Sequence, residues 1–272
     1  MATSSTRSVD LPTVIVMAAS IYVVSVLLHE AGGHGGACMA LGEHAAAWGA
    51  YYFDCATQSA PLWKSRLVAA AGSAVNLAVA AISGLWLWIR FGKSGQLGIA
   101  AAAMWLLFMV NSLTWSGYFV FSGVANIGDW STQRDAVLYG VSNPLVLRAV
   151  MVAAGGILYF LCIRLGARWL STLVGGAHRE LGRRLALTSY LTGGITAVLI
   201  GLLNPMGMMI VLESAAASTL GGTAGLLSTF GMMPAAPAET NFDLPRNWLW
   251  MVVGLAGVGA YAAILGPTIK FG

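Results

Sequence analysis

Apolar residues do not alternate with polar ones along this chain; they run on. Uncharged stretches cover residues 11–28, 67–89, 94–128, 185–212, 214–238 and 247–269. Several exceed the roughly 20 residues with which an α-helix crosses a bilayer. Polar or charged connectors separate them, and no internal repeat is visible. The pattern predicts six spans, at about 11–40, 64–89, 96–118, 145–165, 186–211 and 247–268, and hence an all-α, polytopic integral membrane protein in contact with the lipid bilayer. Residues 213–239 are rich in Ala, Gly and Ser and read as a loop with a short surface or re-entrant helix. A seventh full span there would put the termini on opposite sides.

Composition supports the membrane reading. Of 272 residues, 58% are hydrophobic and only 9% charged, against roughly 25% charged in a soluble domain, and the mean hydropathy is +0.77. Trp86, Trp88, Trp115, Trp248 and Trp250 lie near the ends of the apolar runs, as in an interfacial aromatic belt. The net charge of +4 comes with no basic patch interleaved with aromatics, so nucleic acid is not an expected partner. The first dozen residues lack the apolar core and cleavage site of a signal peptide, and the first span is expected to stay. Cys38, Cys55 and Cys162 are widely spaced, odd in number and without a CxxC pair. They suggest neither a disulfide framework nor a cysteine-only metal site, and Cys38 reads as a buried apolar thiol.

With six spans, both termini and the connectors at 90–95 and 166–185 share one side. That side would hold Arg7, Arg90, Lys93, Arg164, Arg168, Arg179, Arg183, Arg184 and Lys270, nine of the fourteen Lys and Arg. The positive-inside rule then predicts cytoplasmic termini and residues 45–60 outside, in a multi-pass protein of a bacterial cytoplasmic membrane.

The chemistry-bearing stretch is "SVLLHEAGGHGGACMALG", residues 25–42. Ionisable groups inside a span are costly and usually face a cavity with a task. His29, Glu30 and His34 are such groups. Two His four residues apart share a helix face and can hold one zinc, with the Glu between them as base. Here the separation is five, which at about 100° per residue turns the rings roughly 140° apart. A π-bulge restores a common face, and Gly32 and Gly33 stand where the extra residue must go. The spacing, though nothing else, is similar to that of the dipeptidyl peptidase III family.

Further along, "AAAGSAVNLAVAA" (69–81) resembles the Gly-x-x-x-Asn signature of the site-2 protease family of intramembrane zinc metalloproteases, through Gly72 and Asn76. "VNSLTWSGYFVFSGVANIGDW" (110–130) stands where that family carries its third ligand, here Asp129. The resemblance covers about residues 15–135 and implies a metalloprotease-like membrane core over residues 1–135; residues 136–272 would be C-terminal membrane helices without an assigned role. It departs from the family in the longer His-to-His spacing, the lack of a Leu-Asp-Gly context at Asp129 and the missing proline turn before it. The resemblance implies Zn2+ held by His29, His34 and Asp129, Glu30 as general base, and Asn76 hydrogen-bonding the substrate backbone or the oxyanion. The partner would be a membrane-bound polypeptide cleaved by a hydrolase.

Blander readings stand beside these. His29, Glu30 and His34 also suit a buried hydrogen-bonded cluster, Asn76 an interhelical bond, and Asp129 a helix cap. "NPMGMM" (204–209) reads as a helix kink or end. At the level of function, an intramembrane zinc peptidase competes with a non-catalytic subunit that keeps the fold as a scaffold in a larger membrane complex.

Overall fold

The computed structural model describes residues 9–92, 97–234 and 242–271, without the side chains of residues 213 and 215. Arg7, Lys93 and residues 235–239 of the Ala/Gly/Ser-rich segment therefore lie outside the described residues. The chain is mostly helical. Six helices are long and apolar enough to cross a membrane: Leu11–Ala40, Leu62–Phe91, Ile99–Ala125, Pro144–Val174, Arg179–Gly201 and Trp248–Leu265. They overlap the six expected spans. The fifth begins seven residues before its expected start at 186, because Glu180 pairs with Arg183 and Arg184 along its first turns. It ends at Gly201, where Asn204 accepts from the Met206 amide in the turn leading to Pro205 and Gly207.

Local signals set the helix ends. Asp10 caps α1 (Leu11–Leu27) by accepting from the Thr13 amide at 3.0 Å, and Asn247 caps α9 (Trp248–Leu265) by accepting from the Trp250 amide at 2.9 Å. α1 runs without a break into a π-helical stretch, Leu28–Gly35, and then into α2 (Gly36–Ala40). The wide turn lies where the His-to-His spacing predicts it. α3 (Leu62–Phe91) crosses this stretch at close range: a Cβ on Gly33 would stand 2.5 Å from the Gly72 Cα. Only two glycines let the backbones approach so closely. α4 (Ile99–Ala125) fills the centre, with Trp105, Leu106, Met109 and Leu113 fully buried. α5 (Pro144–Val174) flanks it and turns Leu145, Val146, Val150 and Ile157 outward, an apolar surface suited to lipid.

Two features differ from the all-helical expectation. The first is a three-stranded sheet of order β2-β1-β3, in which β1 (Ala45–Gly49) and β2 (Tyr52–Cys55) form a hairpin and β3 (Ile269–Lys270) joins from the far end of the chain. β3 pairs with β1 through Ala47↔Lys270 and Trp48↔Ile269. The second is a Cys38–Cys55 disulfide that ties the end of α2 to β2. It corrects the expectation of free thiols. The hairpin folds Cys55 back over Cys38, a closure across 17 residues that spacing in the sequence does not reveal.

The path of the chain corrects a third expectation. After α6 (Arg179–Gly201), the Ala/Gly/Ser-rich segment is a broken helix: α7 (Met208–Ile210), a π-helical stretch Val211–Gly221, and α8 (Leu226–Thr229). It starts beside the sheet, where the preceding Asn204 side chain donates to Thr268 at 3.1 Å. It finishes at the opposite end of the bundle, where Arg179 donates to the Met233 carbonyl at 3.1 Å and Ser171 to that of Pro234 at 3.0 Å. There the chain also meets the start of α1, with Asp10 donating its amide to Leu244 at 2.9 Å. α9 then returns to the sheet. The chain therefore runs the length of the bundle seven times, and its described ends, Val9 and Phe271, lie at opposite ends rather than the same one.

The glycine crossing yields a paired prediction. Gly33→Ala forces backbone against backbone and should destabilise the detergent-solubilised protein by about 1–3 kcal/mol in a denaturation titration. Gly32→Ala, whose new methyl would meet nothing nearer than Leu28 at 3.9 Å, should leave stability unchanged or slightly raised. Equal losses in both would refute the close-crossing account.

Candidate metal centre

The π-helical turn brings His29 and His34 to one face, as a regular helix would not. Their Nε2 atoms stand 3.2 Å apart. Asp129 Oδ2 completes a triangle, 3.3 Å from His29 Nε2 and 3.5 Å from His34 Nε2. Zinc bonded at about 2.0–2.2 Å to three corners of a tetrahedron separates its donors by about 3.3–3.6 Å. The triangle, with sides of 3.2, 3.3 and 3.5 Å, is close to that size, and the three side chains form a group that could hold a metal ion.

The surroundings supply the matching second layer. His34 Nδ1 donates to the Val68 carbonyl at 2.7 Å, and His29 Nδ1 donates to Asn76 Oδ1 at 2.5 Å. With a hydrogen on each Nδ1, each Nε2 points a bare lone pair into the triangle. Asp129 Oδ2 is buried and has no hydrogen-bond partner of good geometry among the described residues. With both Nε2 atoms unprotonated, three acceptors converge, a group that could hold a cation.

Room for that cation depends on Gly72. A Cβ there would lie 2.5 Å from His29 Nε2 and 2.6 Å from His34 Nε2, crowding both candidate ligand atoms. Asp129 is held from the other side. Asn126 ends α4 in the left-handed conformation, Gly128 turns at a φ of +78°, and Trp130 donates to Ser73 of α3 at 3.0 Å.

Glu30 is buried beside the triangle, where the backbone amide of Phe53 in β2 donates to its carboxylate. It borders two cavities. The larger, about 500 Å³, is lined by Glu30, His34 and Asp129 and by the polar loop residues Gln133, Arg134 and Asp135. The smaller, about 50 Å³, is lined by His29, Glu30 and hydroxyls including Ser25, Thr114, Ser218 and Thr223, with room for a few waters at about 10–15 Å³ each. Tyr118 lines both cavities and stacks on His29, with ring centroids 5.6 Å apart.

The structure thus brings His29, His34, Asp129, Glu30 and Asn76 together. Asn76 is 1% exposed; its oxygen is engaged by His29 and its amide nitrogen donates to Asn111 Oδ1 at 2.8 Å. That contact differs from the substrate or oxyanion bond the resemblance implies. Sequence reasoning passed over Asn111, Tyr118 and the Val68 carbonyl. An amide in the middle of an apolar run is a signal for Asn111; a tyrosine and a main-chain carbonyl carry none. No protein-family model, no curated protein and no solved structure matches the chain.

Gly72→Ala should give a folded protein whose zinc content falls from about one per chain to near zero by elemental analysis, as should His29→Ala and Asp129→Ala. Full zinc in the Gly72 variant would place the ion elsewhere.

Proposed function

We propose that this protein is an integral membrane zinc peptidase of the site-2 protease type, hydrolysing a peptide bond of a membrane-bound polypeptide. The observation that carries the reading is the triangle of bare acceptors at zinc spacing with a buried carboxylate, Glu30, beside it on a cavity that reaches polar loops. His29, His34 and Asp129 would hold the metal, which when bound supplies a Lewis acid for the carbonyl and lowers the pKa of water. Glu30 takes a proton from the attacking water and returns it to the leaving amine. The cavity admits that water, and the substrate presents a locally unwound backbone, because a helical peptide bond is shielded.

Orientation follows from two independent features. Among the described residues, the end of the bundle away from the sheet carries Arg90, Arg164, Arg168, Arg179, Arg183, Arg184 and Arg246, and the sheet end carries Lys64, Arg66, Arg134, Arg148 and Lys270. The bias of seven to five would put the end away from the sheet in the cytoplasm. The Cys38–Cys55 disulfide lies at the other end, beside the metal ligands, and disulfides persist in oxidising compartments. The site then opens on the extracytoplasmic side. With seven passages, the N-terminal end is cytoplasmic and the C-terminal end outside.

Two measurements test this. In Glu30→Gln, which keeps shape but removes the base, a membrane protein should accumulate uncleaved or remain bound; an unchanged membrane proteome with a stoichiometric partner complex would establish the scaffold reading instead. A periplasm-dependent reporter fused after residue 272 should be active and one placed at residues 175–178 inactive, and the reverse pattern would overturn the orientation.

A further inference from the structure

Asn111 on α4 is fully buried and touches none of the proposed ligands. We infer that it is a positioning residue for the metal, acting through Asn76 to keep the Nε2 lone pair of His29 free. The inference rests on the zinc reading above and concerns a chain of hydrogen bonds that ends on the main chain.

The chain can be read in only one direction. Asn111 Nδ2 lies 2.8 Å from the Leu107 carbonyl and 2.9 Å from Ser25 Oγ. A carbonyl only accepts, so the amide nitrogen of Asn111 must face it and the amide oxygen must face away. That oxygen is 2.8 Å from Asn76, whose own nitrogen must therefore turn toward it. Asn76 Oδ1 is left pointing at His29 Nδ1, 2.5 Å away, where only a hydrogen on Nδ1 makes a bond. A neutral His29 therefore carries its proton on Nδ1 and its lone pair on Nε2. A backbone carbonyl in α4 thus dictates the tautomer of a candidate ligand on the π-helical stretch, with α3 between them. His34 needs no such relay, because its Nδ1 meets the Val68 carbonyl directly.

Without Asn111, the Asn76 amide is free to rotate and present its nitrogen to His29. That nitrogen is a donor, so His29 would shift its hydrogen to Nε2, where it blocks the metal. A carboxylate at position 76 has no wrong way round, since either oxygen accepts. The relay therefore predicts a specific non-additivity.

Zinc dissociation constants of the full-length protein in detergent, measured by competition with a chromophoric chelator, test it. Asn111→Leu, which keeps the branched heavy-atom shape, should weaken zinc roughly 10–100-fold, the usual cost of losing an outer partner of a metal-bound His. Asn76→Asp should still bind zinc, although one carboxylate oxygen then faces Asn111 Oδ1. The double variant should bind at least as tightly as Asn76→Asp, because the carboxylate no longer needs Asn111 and is freed of that contact. If Asn111→Leu costs the same factor in both backgrounds, Asn111 acts by packing and the relay is wrong; no loss in either background is equally fatal. Should Asn111→Leu not fold, Asn111→Ala takes its place with the same expectations, a loss in the wild-type background and none beside Asn76→Asp. A wild type that binds no zinc at all would remove the metal centre itself, a failure distinct from those of the relay.

Discussion

The structure turns on one close crossing, where the π-helical stretch of the first span meets α3 at Gly33 and Gly72. Everything at the site is spaced from it along one face of α3. Val68, a turn before Gly72, gives its carbonyl to His34; Gly72 leaves the space between the two Nε2 atoms; Asn76, a turn after, receives His29. Residues four apart on a helix share a face, so three successive turns serve one ligand, the metal space and the other ligand. A side chain at Gly33 would push the helices apart, and one at Gly72 would crowd the two Nε2 atoms.

Polarity so deep in an apolar bundle is costly unless each group is satisfied. Here nearly every one is, and the pattern of satisfaction carries the chemical information. Asn111, Asn76 and Ser25 hydrogen-bond in sequence, and His34 is completed by a carbonyl. The two Nε2 atoms and Asp129 Oδ2 instead converge on one another. They form a group that could hold a metal ion.

The sheet and the broken helix frame this centre from outside. The β1–β2 hairpin, locked by Cys38–Cys55, brings the Phe53 amide to Glu30. β3 closes on the hairpin from the C-terminal end, and Tyr261 of α9 hydrogen-bonds the Ala50 carbonyl. The broken helix brings Ser214, Ser218 and Thr219 to the small chamber next to His29 and Glu30. Ser218, Thr219 and Thr223 donate to carbonyls of their own helix, Ser218 to that of Ser214 at 2.5 Å, which lowers the cost of carrying hydroxyls across the bundle.

The sequence by itself determined the six apolar helices, the polar connectors, and the need for a wide turn between His29 and His34, because helical period and hydropathy are local properties of the chain. Gly72, Asn76 and Asp129 were legible as candidates through a resemblance, but not the contact each makes. Only the tertiary structure decided that Asn76 serves His29, that Asn111 stands behind it, that Cys38 meets Cys55, and that a broken helix adds a seventh passage. Those facts depend on which helix faces which, and helix pairing is set by side-chain fit across tens or hundreds of residues. Hydropathy in particular missed the seventh passage because its small and hydroxyl-bearing residues face a polar chamber and the neighbouring helices rather than lipid.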